Sequence, residues 1–98
     1  KERPVILYVG RLSQEKDLTM LFDAFRLLNQ RGTYQLCIVG DGPLRPQTER
    51  FVQTTAHAAY AGMIPYGERL AECYAMADVL ALPRRNETLG LTILEALA

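Results

Sequence analysis

Apolar residues along this chain alternate between short unbroken runs and longer stretches in which they recur every three or four positions. Val5–Val9 carries no polar break and lies between Pro4 and Gly10, the pattern of a strand buried on both faces. The polar stretch from Arg11 to Lys16 reads as a loop. Beyond it, Leu18, Leu21, Phe22, Phe25 and Leu28 fall on one face of a helix that Asp17 can cap and Gly32 can end. Residues 34–40 are a second strand, followed by the turn Asp41-Gly42-Pro43. A second helix is expected from about Leu44 to Thr54, with Pro46 tolerated only in its first turn, where a backbone N–H has no partner to lose. Residues 57–62 are a weaker third strand, because alanine is a poor strand former. A third helix near residues 67–76 carries Leu70, Cys73 and Tyr74 inward. Residues 78–83 are a fourth strand, and a last helix begins near Gly90.

Strands that alternate with helices at this spacing join by right-handed crossovers. The fold class expected is α/β, a Rossmann-like parallel sheet with helices on both faces, in a single domain spanning residues 1–98. Ligands of such sheets bind beyond the carboxyl ends of the strands. Here those ends are Gly10-Arg11, Gly40-Asp41-Gly42, Gly62-Met63 and the segment from Pro83 to Thr88, so the polar features all gather on one edge.

Composition narrows the function. With 98 residues there is room for one small domain, and 49% hydrophobic content without a long apolar run makes it globular. Eleven basic and eleven acidic residues create no basic field, which argues against nucleic-acid binding. Cys37 and Cys73 stand among apolar neighbours and match neither a disulfide framework nor a metal spacing. Both read as reduced core residues, and the protein as cytoplasmic or at the inner face of the membrane. A chain that starts at Lys1 and stops at Ala98, inside an expected helix, reads as a piece of a longer protein.

The chemistry-bearing residues have modest meanings one by one. Arg11 and Lys16 flank the loop after the first strand, where two cations could converge on a diphosphate or simply be solvated. Glu87 and Glu95 bracket the junction between the last strand and the last helix. Carboxylates held in a cleft suit a hydroxyl-rich ligand, and a helix N-terminus suits a phosphate. Gly90 lets a ligand approach the backbone between Leu89 and Leu91. Gly40-Asp41-Gly42-Pro43 lacks the glycine spacing of a dinucleotide or P-loop cradle and reads as a tight turn capped by Asp41. His57 has no partner for metal or catalytic work, and Tyr60, Tyr66 and Tyr74 read as packing residues.

In order along the chain, four segments resemble the donor-binding domain of the GT-B glycosyltransferases of the large retaining group called family 4. They are Tyr8-Val9-Gly10-Arg11-Leu12 with Lys16, then Ile38-Val39-Gly40-Asp41-Gly42-Pro43, then Tyr74-Ala75-Met76-Ala77-Asp78-Val79, and Glu87-Thr88-Leu89-Gly90-Leu91 running on to Glu95-Ala96-Leu97-Ala98. The resemblance covers essentially the whole chain. It implies part of a C-terminal nucleotide-sugar-binding domain, with the acceptor held by a separate N-terminal domain outside this sequence. It also implies that Gly10, Arg11 and Lys16 meet the donor diphosphate and that Met63 and Ile64 lie against the base. Glu87 would contact sugar hydroxyls, the backbone of Leu89, Gly90 and Leu91 would meet the phosphates, and Glu95 would hold the ribose. Arg11, Lys16 and Glu87 are then the catalytic set. Two departures stand out: Arg84 replaces a small residue after the proline, and Leu89 replaces a frequent aromatic residue. Neither touches a charged contact.

The implied reaction moves a hexose from a nucleotide-diphosphate sugar to an acceptor hydroxyl with retention. A GDP- or UDP-sugar donor is favoured, with no metal or other cofactor, and the parent protein is open to membrane association. Rival readings keep the fold and change the chemistry. They are a nucleotide-sugar epimerase, a sugar phosphorylase, and a non-catalytic doubly wound binding module. A receiver-type module would want clustered acidic residues where this chain has Gly10 and Arg11.

Overall fold

A computed structural model describes residues 3–81. Within them four parallel strands form one sheet in the order β3-β2-β1-β4: β1 is Val5–Val9, β2 is Gln35–Val39, β3 is Ala58–Gly62 and β4 is Val79–Leu80. The connecting helices are α1 (Leu18–Arg31), α2 (Arg45–Thr54) and α3 (Glu68–Met76). The Rossmann-like α/β architecture expected from the alternation is the one observed.

Strand pleating divides the core between the two faces. Ile6 and Tyr8 of β1 and Leu36 and Ile38 of β2 join α1 and α2 in the larger cluster, where Leu18, Leu21, Phe22, Phe25 and Leu28 are all buried. Phe22 and Phe51 stack with centroids 4.1 Å apart and planes 11° from parallel, and Phe25 meets Phe51 edge-on at 6.5 Å, so three rings bind α1 to α2. On the opposite face Leu7, Val39 and Leu70 form a smaller cluster with Cys37, Cys73 and Ile64 against it. Asp78 pins the start of β4 by accepting a hydrogen bond from the Val5 N–H at 2.7 Å.

Several local expectations change. The stretch from Arg11 to Lys16 is not simply polar loop. Leu12 is wholly buried, Ser13 is buried, and Gln14–Lys16 form a 3-10 turn. Asp17 occupies the N-terminal boundary of α1, but in a left-handed conformation (φ 53°) and without a side-chain cap on the helix. Gly32 does end α1, with φ of 178°, an extended conformation open to any residue. The third strand is real despite its alanines, and it omits His57, whose φ is 66°. Its pairing with β2 slips between Ile38 and Val39, which match Tyr60 and Gly62 and leave Ala61 as an extra residue. A bulge of this kind bends its strand locally and increases its twist. Among the described residues the fourth strand is Val79–Leu80, while Pro83 and the helix expected from near Gly90 lie outside them. None of the helices among the described residues is long and apolar enough to cross a membrane.

Candidate functional site

The loops beyond the strand ends are tied to one another by backbone hydrogen bonds. The Gly10 N–H donates to Val39 O at 3.0 Å, the Leu12 N–H to Asp41 O at 3.0 Å, the Gly40 N–H to Gly62 O at 2.9 Å and the Leu44 N–H to Leu12 O at 2.8 Å. Two glycines permit this closeness. A Cβ on Gly40 would stand 1.8 Å from the Gly10 carbonyl oxygen, and one on Gly42 would stand 2.5 Å from the Leu12 carbonyl oxygen. Their φ values of 147° and 157° also lie where side chains are strained. The turn at residues 40–43 is therefore a backbone junction under the site. Asp41 serves it locally, accepting a hydrogen bond from the Gly42 N–H at 2.8 Å, and does not cap α2.

Two tyrosines brace the edge from below. The Tyr8 hydroxyl donates to Arg11 O at 2.6 Å, and the Tyr60 hydroxyl to Gly40 O at 2.6 Å. Burial raises the pKa of the Tyr8 phenol above its ordinary value of 10.0, which keeps the proton that makes this bond. Burial also raises Tyr60, with the nearby Arg45 pulling in the opposite direction. Arg11 thus projects an exposed guanidinium from a backbone fixed on both sides. Asp41 is already engaged, 3.5 Å from Arg45, which also reaches Glu49 at 3.1 Å.

Above this frame lies a cavity of about 270 Å³ lined by Val9, Gly10 and Arg11 of the first edge and Val39, Gly40 and Asp41 of the second. Met63, Ile64, Tyr66, Leu70 and Tyr74 complete its wall. Arg11, Asp41 and Met63 also line a shallower adjoining hollow together with Gly42 and Pro43. The volume approaches the lower end of small-molecule sites, about 300–1,000 Å³. Its lining combines apolar and aromatic side chains with Arg11 and Asp41.

Of the predicted site residues, Gly10, Arg11, Met63 and Ile64 come together in this cavity. Lys16 is exposed on the 3-10 turn and is not in its lining. Glu87, Leu89, Gly90, Leu91 and Glu95 lie outside the described residues. Two residues read as packing are exposed instead: Tyr66 is 97% exposed, and Tyr74, expected to point inward, is 46% exposed. Both line the cavity. The helical period alone misplaces Tyr74, since Leu70 and Cys73 already fill the inward stripe of so short a helix.

A cleft at the carboxyl ends of the strands of a parallel sheet is where open α/β domains hold their ligands. The chain belongs to the glycosyl transferases group 1 family, whose model matches residues 1–98. It is 34% identical over 97 residues to the sulfoquinovosyl transferase of Arabidopsis thaliana, covering 99% of this chain and 18% of that protein. It is 38% identical over 95 residues to a GDP-mannose-dependent alpha-(1-6)-phosphatidylinositol dimannoside mannosyltransferase of Mycobacterium tuberculosis, covering 96% of this chain and 25% of that protein. Among solved structures, the apo form of a lipopolysaccharide outer core galactosyltransferase shares the fold, with a TM-score of 0.67 at 28% identity over 99% of this chain and 28% of that one. The chain spans about a quarter or less of the curated relatives it matches.

Proposed function

We propose that this chain is the donor-binding part of a retaining GT-B glycosyltransferase of the family 4 type, from its C-terminal domain. The parent enzyme would transfer a hexose from a nucleotide-diphosphate sugar to an acceptor hydroxyl, with the acceptor held by an N-terminal domain. The observation that carries this reading is the convergence of Gly10, Arg11, Met63 and Ile64 on one cavity at the carboxyl edge of the sheet. A nucleoside diphosphate places a flat ring and two phosphates on one ligand, and the cavity offers an apolar wall and a fixed cation. A GDP- or UDP-sugar suits this site, and a GDP-mannose-dependent relative is among the similar proteins.

The residues fit the reaction physically. Breaking the bond between the anomeric carbon and diphosphate builds negative charge on the leaving group. A guanidinium whose backbone is fixed in advance stabilises that charge without reorganising. Arg11 fills this role, with Lys16 as its partner and Glu87 at the sugar hydroxyls, as the family resemblance assigns them. Glu95 would hold the ribose and the backbone of Leu89, Gly90 and Leu91 the phosphates. With no evident covalent nucleophile in the sequence, the acceptor attacks on the face the diphosphate leaves, and the departing phosphate takes the acceptor proton. Donor binding is expected without a metal, so chelation with EDTA should leave it unchanged.

Arg11→Ala tests the assignment. Losing one charge-assisted contact of about 1.5–3 kcal/mol should weaken binding of GDP and UDP by roughly ten- to a hundredfold with the fold intact, read by calorimetry and circular dichroism. Unchanged affinity for both would remove Arg11 from the site. In the parent enzyme, Glu87→Ala with unchanged turnover would remove Glu87 from the sugar.

A further inference from the structure

The segment between β3 and α3 is unusual for a loop on the rim of an apolar cavity. Tyr66 exposes 97% of its surface and Met63 exposes 68%. Both nonetheless line the cavity, together with Leu70 and Tyr74 of α3. Tyr66 also lines a second hollow formed by residues 64–69. Gly62 and Gly67 bracket the segment with φ of 78° and 145°. Among the described residues, no atom beyond its immediate chain neighbours lies within 4 Å of a Cβ placed on either glycine. Their role is therefore conformational: they set the angle at which this short rim leaves the bulged end of β3 and enters α3. The rim presents one phenol ring and a thioether with little protein to pack against, and α3 adds the half-exposed ring of Tyr74 to the same lining.

We infer that Tyr66, opposed by Tyr74 and Met63, forms an aromatic clamp on the base of the donor nucleotide and makes the site prefer a purine over a pyrimidine. The inference rests on the donor-binding reading above and deepens it. Among the described residues, Met63, Ile64, Tyr66, Leu70 and Tyr74 of the lining are apolar or phenolic, so the discrimination they supply comes from the ring area they can cover. Stacking on a tyrosine face tolerates any base, but its strength grows with the overlapping surface. A fused two-ring base covers more of Tyr66 and Tyr74 than a single ring does. Its exposure lets Tyr66 close over a base from the solvent side while the diphosphate lies toward Arg11.

The test measures affinities of the full chain for GDP, UDP and inorganic pyrophosphate by calorimetry, in the wild type and in Tyr66→Ala and Tyr66→Phe. The Tyr66 side chain buries almost nothing, so both variants keep the fold. Wild type should bind GDP more tightly than UDP. Tyr66→Ala should weaken GDP roughly tenfold, equal to about 1.4 kcal/mol, weaken UDP less, and leave pyrophosphate unchanged. Tyr66→Phe should behave as wild type, because the ring and not the hydroxyl does the stacking. If Tyr66→Ala leaves both nucleotides unchanged while Arg11→Ala weakens both, the clamp is wrong and the donor site stands. If the wild type prefers UDP, the purine preference is overturned. If a folded wild-type chain binds none of the three, the donor-site reading falls and takes the clamp with it.

Discussion

The face of the sheet covered by α1 and α2 buries Leu12, Leu18, Phe25, Leu36 and Ile38 almost completely. Among the described residues, the face under α3 has a far smaller cluster, Leu7, Val39 and Leu70, and leaves Tyr74 and Met76 about half exposed. Both faces hang from the same two central strands through alternate residues, so sequence periodicity treats them alike. Their packing does not. The first face is close-packed by aromatic and leucine side chains and supplies rigidity. Among the described residues, the second supplies the ring-bearing wall of the cavity. The carboxyl edge between them is a backbone lattice in which Gly40 and Gly42 allow three loops to touch.

The most severe way to break this arrangement is at the lattice. Gly40→Ala drives a methyl group into the Gly10 carbonyl oxygen, and backbone on backbone leaves no rotamer to relieve it. A loss of more than about 4 kcal/mol is expected, measured by urea denaturation. Gly62→Ala meets open space and should cost only the left-handed penalty of about 1–2 kcal/mol. Equal costs at the two glycines would mean that the tight junction is not a structural requirement.

Next come the two cores. Phe25→Ala, in the larger cluster, should destabilise by about 3–5 kcal/mol and leave the affinity of the folded protein for nucleotide unchanged. Leu70→Ala, in the smaller one, should cost about 2–3 kcal/mol and also weaken nucleotide binding, because Leu70 belongs to the cavity lining. Chemical denaturation and calorimetry on the two variants separate a structural face from a binding face.

A smaller effect concerns the support under Arg11. Tyr8→Phe removes the hydroxyl that holds the Arg11 carbonyl and should cost about 0.5–1.5 kcal/mol. The pH dependence has a defined sign. The folded-state pKa of Tyr8 is raised above 10.0 by burial, so its contribution is fully present below pH 10. It is lost as pH climbs through the folded value, since the unfolded chain gives up the proton first. Stability measured between neutral pH and the alkaline range should fall less steeply for Tyr8→Phe than for the wild type.

The sheet, the three helices and the position of the cleft were legible in the sequence, because Val5–Val9 and the stripe between Leu18 and Leu28 are unambiguous in period. What escaped is what period does not encode. The buried Leu12 sits in a segment whose neighbours are polar, and its burial depends on the Leu12–Asp41 and Leu44–Leu12 backbone bonds between loops distant in sequence. The bulge at Ala61 depends on how β3 registers with β2, which alanine and glycine leave undetermined. Tyr66 reads as packing only if a neighbour covers it. The adjacent Pro65-Tyr66-Gly67 was the available signal that the ring stands at a turn.

Everything proposed for this chain turns on whether the carboxyl edge of the sheet, and not the helical face behind it, receives the nucleotide. The direct measurement is an amide NMR titration of the chain with GDP. Shifts are expected at Gly10, Arg11, Ile64, Tyr66 and Tyr74, with Thr19, Arg26 and Arg50 on the α1–α2 face still. Shifts confined to that helical face, or none in a folded sample at millimolar nucleotide, would contradict the assignment of the carboxyl edge as the donor site.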